Sequence, residues 1–315
     1  MRNKAILAFA TPALAFARRV VFSSSGDLTR TVSPGRAKSR GGPQRVFQTA
    51  AESLFSVLFP ADCRVCQSSL TRISTLPVCD ACLQQVAPLS GILCGVCGEK
   101  LFSKFVVSED GPRCGMCRRV APPFIRAVAY GAYDGVLRDL IHLLKYQRVE
   151  SVAPLLGRLL AEALAGVKLP ELLLVVPVPL FKRKLRERGF NQAREIARAF
   201  VRRGTIAGIQ LEASALVRVK ETASQTGLTR HQRRANLRGA FAVAKPERIR
   251  GRSLLVVDDV MTTGTTASEC ARVLMRAGAK QVFVATVARA TRELEAHLQI
   301  SEQRVKAAQA SVAGH

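Results

Sequence analysis

The chain has 315 residues, 48% of them hydrophobic, and sets 48 Lys and Arg against 23 Asp and Glu for a formal charge of +25. That length and apolar content allow one substantial core plus a smaller module. The basic excess favours polyanionic partners, whether nucleic acid, phosphorylated metabolites or an anionic membrane face, while the lack of Trp and the presence of 3 Tyr argue against an aromatic base-stacking platform.

The first 50 residues differ from the rest. "MRNKAILAFATPALAFARR" has a basic start, an apolar stretch from Ala5 to Ala17 and Ala15-Phe16-Ala17 in A-x-A form, which resembles a signal peptide. It is too short for a membrane-spanning helix, so no membrane insertion is expected. "SSSGDLTRTVSPGRAKSRGGPQR" follows, polar, basic and rich in Gly, Ser and Pro, and reads as disordered. Residues 1–50 are therefore expected to be a basic extension, 51–122 a cysteine module, 123–290 an α/β domain and 291–315 a charged tail.

Of the 9 cysteines, all but Cys270 fall in C-x-x-C units: Cys63/Cys66, Cys79/Cys82, Cys94/Cys97 and Cys114/Cys117. Two-residue spacing lets a tight turn aim both sulfurs at one tetrahedral ion. Two such turns make a closed four-thiolate site, which suits zinc best, with an iron–sulfur cluster as the minor alternative. The gaps of 12 and 16 residues inside "CRVC…CDAC" and "CGVC…CGMC" favour sequential pairing: Cys63, Cys66, Cys79, Cys82 on one ion and Cys94, Cys97, Cys114, Cys117 on the other. Spacing alone leaves a crossed pairing open. With every position filled by sulfur, both zincs are expected to be structural, and zinc supplies on the order of 10–16 kcal/mol to such small modules. Thiolate sites suit a reducing compartment, so the expected location is the cytoplasm. Cys270, inside a helical stretch, is expected to be a small buried residue.

From about residue 125, strands and helices alternate. "AVAYGAY" (127–133) reads as a strand, and Val136, Leu137, Leu140, Leu143 and Leu144 have helical spacing. A second helix runs from Leu155 to Leu164, and "LLLVVPVP" (172–179) is a short buried strand stopped by prolines. Asn191 caps a helix that ends at a glycine. Strand 253–259, helix 265–277 and strand 281–288 complete the set. Apolar strands without two-residue alternation imply a parallel sheet covered by helices on both faces.

The sharpest motif is "VVDDVMTTGTT" (256–266). In an open parallel sheet, ligands bind beyond the carboxyl ends of the strands, near the switch in strand order. Thr262, Thr263, Gly264, Thr265 and Thr266 offer backbone N–H groups and hydroxyls at the start of a helix, an anion cradle. Asp258 and Asp259 would repel a phosphate but accept hydrogen bonds from sugar hydroxyls, or hold Mg²⁺. A sugar 5-phosphate satisfies both halves. No G-x-x-x-x-G-K-[ST] and no G-x-G-x-x-G after a strand occurs, which argues against a P-loop nucleotide or a dinucleotide.

This stretch resembles the phosphoribosyl diphosphate signature of type I phosphoribosyltransferases. The resemblance implies that Asp258 and Asp259 meet the ribose 2- and 3-hydroxyls and that the 262–266 loop wraps the 5-phosphate. Joined to the cysteine pairs, "LRDLIHLLKY" (137–146), "PVPLFKRKLRERGFNQA" (177–193) and "ETASQTGLTRHQRRANLRGAF" (221–241) are similar to the ComF family of competence-associated proteins, from about Phe59 to Ala290. The implied fold is a type I phosphoribosyltransferase-like α/β core with an N-terminal double zinc ribbon. Lys182, Arg183 and Arg186 fall where that fold carries its diphosphate loop, with Arg188 as a helper. Thr222, Gln225, Arg234 and Asn236 fall in the hood over the site. The alternative for each arginine is a solvated face. His142 and His231 receive no role.

Two functions follow from the resemblance. One is a protein that binds phosphoribosyl diphosphate with Mg²⁺ and handles incoming single-stranded DNA during natural transformation, with helicase-like and strand-loading partners. The other is an active phosphoribosyltransferase using a nucleobase or related acceptor, with catalysis mostly by electrostatic positioning. No residue is singled out to activate or select an acceptor. A third possibility is a plain zinc scaffold.

Overall fold

A computed structural model of the protein describes residues 61–70, 74–101, 107–108, 111–222 and 230–290. The N-terminal extension, the charged tail, Gln225 and the side chain of His231 lie outside the described residues. In chain order the α/β part runs β1 (Arg126–Ala132), α1 (Gly135–Tyr146), α2 (Ala153–Leu164), β2 (Leu173–Pro177), α3 (Lys182–Arg188), α4 (Gln192–Arg202) and β3 (Ile209–Leu211). It continues with β4 (Leu216–Arg218), α5 (Arg230–Leu237), β5 (Phe241–Val243), α6 (Pro246–Ile249), β6 (Ser253–Met261), α7 (Thr265–Arg276) and β7 (Gln281–Arg289).

The main sheet has five strands in the order β1-β7-β6-β2-β3, with every neighbouring pair parallel. Its strands are nearly all apolar because both faces are covered. On one face, α1, α2 and α4 bury Leu140, Leu156, Ile196 and Phe200 completely. Gly157 lets α2 and α4 approach closely: a Cβ there would meet Ala199 Cβ and the Phe200 backbone nitrogen at 2.8 Å. On the other face, α7 buries Cys270 and Leu274 against β4, β5 and α5, so Cys270 is the buried core residue expected. Asn191 caps α4, its Oδ1 accepting from Arg194 N at 3.3 Å.

Two differences from the sequence expectation matter. The acid-bearing strand runs two residues further, to Met261, because β7 is equally long and pairs Val260 with Ala288 and Met261 with Arg289. The segment after β2 is not an open loop but the helix α3, closed by Gly189 in the left-handed region at φ 85°.

The cysteine module consists of two similar halves. In each, the first C-x-x-C turn is flanked by an antiparallel bridge, Asp62 to Ser69 and Leu93 to Lys100. In each, the second pair starts a short helix: Cys79 precedes Asp80–Leu83 and Cys114 precedes Gly115–Arg119. Both halves bond to β1, with Leu89 N donating to Tyr130 O at 2.6 Å and Ala127 N to Val96 O at 2.7 Å. Among the described residues no helix is long and apolar enough to cross a membrane.

Candidate functional site

The connection leaving β2 runs outward to β3, while the one leaving β6 runs the opposite way to β7. The crevice between the carboxyl ends of β2 and β6 is therefore the switch point of the sheet. The acid pair stands at this end of β6. Asp258 Oδ1 accepts from Asp259 N at 2.9 Å. Burial, then the neighbouring Asp259 carboxylate, pushes the Asp258 carboxyl up to about 7.

Asp259 is buried and has a partner that the sequence reading did not name. Lys145 Nζ, from the last turn of α1, lies 2.8 Å from its Oδ1. Burial works against the Lys145 charge, but Asp259 outweighs it and holds the ammonium above its ordinary range. Lys145 follows Ile141 by one helical turn and so belongs to the edge of the buried face of α1. A lysine placed there was the available signal. His142 next to it is held by the Tyr133 hydroxyl at 2.9 Å and packs edge-on against Tyr146.

After β6 the chain turns through Thr262–Gly264 into α7. Gly264 precedes the helix at φ 73°, and a Cβ there would meet Met261 Cε at 2.8 Å, so glycine is required on both grounds. Thr263 and Thr265 share a hydroxyl hydrogen bond at 2.8 Å. Thr262 Oγ1 accepts from Arg233 Nη1 at 3.1 Å, which ties the loop to α5 above it. The first turn of a 12-residue helix thus stands at the same end of β6 as the acids.

The hood is partly described. β4 and β5 form an antiparallel pair from which Arg218 donates to Thr222 Oγ1 and lies 5.5 Å from the Phe241 ring centroid. Arg234 lines a cavity beside Thr263 and Thr265. Asn236 sits half-buried on α5. Arg218 and Arg233 are additional basic groups here that motif reading alone did not select.

On α3, the predicted Lys182, Arg183 and Arg186 are exposed, and Arg183 is engaged by Glu221 at 2.8 Å and Glu187 at 3.4 Å. The half-buried face carries Lys184 and Arg188, four residues apart. Burial, then Arg188 and Arg218, holds the Lys184 ammonium below its usual range. Arg188 also lies over the Tyr146 ring at 5.3 Å. Helical geometry, invisible if the segment is taken as a loop, adds Lys184 to the predicted set and puts it on one face with Arg188.

The cysteines gather in two quartets, Cys63, Cys66, Cys79, Cys82 and Cys94, Cys97, Cys114, Cys117, with the sulfurs of each within 4.8 Å of one another. A tetrahedron with ligands at about 2.3 Å has edges of about 3.8 Å. The separations Cys63–Cys82 of 3.9 Å, Cys66–Cys79 of 3.6 Å and Cys97–Cys114 of 3.7 Å match it. Backbone N–H groups of Cys79 and Cys114 point at the Cys63 and Cys94 sulfurs, each at 3.3 Å, as thiolates require. The residues fit zinc, with sequential pairing.

A parallel sheet with an acid pair and a hydroxyl-lined turn at its switch point, joined to two four-cysteine sites, defines a phosphoribosyltransferase-type domain bearing a double zinc ribbon. Residues 185–310 match the phosphoribosyl transferase domain and residues 54–122 the double zinc ribbon domain. The chain belongs to the ComF family. "Competence protein F" of Haemophilus influenzae is 33% identical over 236 residues, covering 72% of this chain and 96% of the relative. "DNA utilization protein YhgH" of Escherichia coli (strain K12) is 33% identical over 231 residues, covering 71% and 95%. Among solved structures, the glutamine phosphoribosylpyrophosphate amidotransferase from B. subtilis overlays with a TM-score of 0.28 at 20% identity, over 44% of this chain and 26% of that one.

Proposed function

We propose that this protein binds phosphoribosyl diphosphate together with Mg²⁺, and that it serves the handling of incoming single-stranded DNA in the cytoplasm. The observation that carries the first part is that Asp258, Asp259 and the first turn of α7 lie together at the carboxyl end of β6, beside the switch point of the sheet. Asp258 and Asp259 take the ribose hydroxyls, which donate to carboxylates, and Thr262–Thr266 take the 5-phosphate through hydroxyls and N–H groups. Lys182, Arg183, Arg186, Lys184 and Arg188 supply positive charge for the diphosphate beyond β2. Mg²⁺, when bound, offsets diphosphate charge at the carboxylates.

The second part is supported by the names of the relatives, a competence protein and a DNA utilization protein, and by the +25 charge. Helicase-like and strand-loading proteins are the partners such a role needs. The decisive test is titration calorimetry with phosphoribosyl diphosphate and Mg²⁺. Binding is expected, and Asp258→Asn with Asp259→Asn should abolish it. A wild-type protein that gives no heat ends this reading. Release of diphosphate on adding a nucleobase would establish the transferase activity as well.

A further inference from the structure

A cavity of about 390 Å³ lies directly beside the phosphate loop, with Met261, the last residue of the acid-bearing strand, among its lining. That volume falls in the range of small-ligand pockets. One wall is Thr263, Gly264, Thr265 and Ser268 of the loop and α7. The opposite wall belongs to the second zinc ribbon and the segment after it, with Met116, Pro122 and Phe124 presenting apolar surface. Neither domain forms this space alone.

Arg289, at the end of β7, also lines the cavity and is only 2% exposed. Its Nη2 donates to Glu99 Oε2 at 2.5 Å and approaches Cys97 Sγ at 3.8 Å. Its Nε and Nη1 have no acceptor among the described residues. Buried donors without acceptors are costly, and a small turn of the guanidinium toward the cavity would let an occupant's oxygens or nitrogens satisfy them. The charge is already balanced by Glu99, and that of Arg272 by Glu269, so a second phosphate is not what the lining asks for. Apolar walls plus neutralised guanidinium donors suit a flat, uncharged ring with acceptors on its edge, which is the description of a nucleobase. Exposed Arg234 stands at the rim, available to a further phosphate.

We infer that the cavity takes the nucleoside on the 5′ side of the phosphate held by the loop, so that the site accepts a phosphodiester inside a single strand as well as a terminal 5-phosphate. This rests on the reading above that the 262–266 loop holds a phosphate. The second zinc ribbon then forms part of the nucleic-acid site itself.

The test uses the full-length, zinc-loaded protein and displacement of phosphoribosyl diphosphate by short probes. Thymidine 5′-monophosphate and the dinucleotide TpT place the same 3′ nucleotide in the sugar site. The monophosphate carries the greater negative charge, so without the cavity it binds more tightly. With the cavity filled by a base, TpT is expected to bind about tenfold more tightly than the monophosphate, as stacking of one base allows. A dinucleotide with an abasic 5′ residue should lose that advantage. Ala121→Trp, at an exposed position on the rim, should plug the cavity and erase it while leaving phosphoribosyl diphosphate affinity within about twofold. Arg289→Met tests the donors directly, but it is buried in the core, so Ala121→Trp is the variant that decides. TpT binding no better than the monophosphate, or equally well to the Trp variant, overturns the inference and leaves the phosphoribosyl diphosphate reading standing. If phosphoribosyl diphosphate itself fails to bind wild type, the reading of the loop falls, and this inference with it.

Discussion

Two adjacent aspartates at the end of β6 have unlike surroundings. Asp259 is matched by Lys145, while Asp258 is held up near neutrality by burial and by its neighbour's charge. The sign of the stability effect follows. The folded-state value of Asp258 lies above its ordinary 3.8, so its contribution favours folding fully below that value and is lost as pH rises through about 7. The urea midpoint of ligand-free protein is expected to fall between about pH 5 and about pH 8, and Asp258→Asn should flatten that fall. A slope unchanged by the substitution would show that Asp258 is not the titrating group. Sugar hydroxyls prefer the ionised acid, so affinity for phosphoribosyl diphosphate should move the other way and rise across the same interval. Lys145, by contrast, is bound into an ion pair whose removal leaves Asp259 buried and unmatched.

At the scale of elements, the phosphate loop depends on one backbone conformation. Gly264 sits in the left-handed region directly before α7, and its missing Cβ makes room for Met261. Gly264→Ala should cost about 1–2 kcal/mol of stability from the backbone alone. It should also lower affinity for inorganic phosphate and phosphoribosyl diphosphate together, read by thermal melting and by calorimetry. An alanine variant with native melting and native affinity would show that the turn has no such demand. The helix α3 teaches a related lesson. A run written "KRKLRER" looks like an evenly charged loop, yet about 3.6 residues per turn give it a half-buried face of Lys184 and Arg188 and an exposed one of Lys182, Arg183 and Arg186.

For the molecule as a whole, the zinc ribbons meet the sheet at its β1 edge and extend its two cores. The first quartet joins the core under α1 and α2, and the second joins the core around α7 and the hood. Native mass spectrometry should find two zinc ions per chain, and chelation should lower the melting temperature. Because Cys97, Cys114 and Cys117 border the cavity beside the phosphate loop, stripping zinc should also weaken ligand binding at that loop. Retained affinity in the stripped protein would mean that the ribbon and the loop are independent.

The cysteine spacing, the apolar strands and the run "VVDDVMTTGTT" were legible because each is local: a turn geometry, a side-chain period, a helix start. Lys145, 114 residues before Asp259, was not legible as its partner, nor was Arg289 as the neighbour of Glu99, 190 residues earlier. Sheet order brings those pairs together, and sheet order is decided by which strands bury which faces, a sum over the whole core that no short window contains. The sequence by itself therefore determined the zinc ligands, the parallel α/β class and the acid pair with its turn. The tertiary structure alone decided what surrounds them: the cation on Asp259, the basic face of α3, and the cavity that a ribbon and a sheet enclose only when folded against each other.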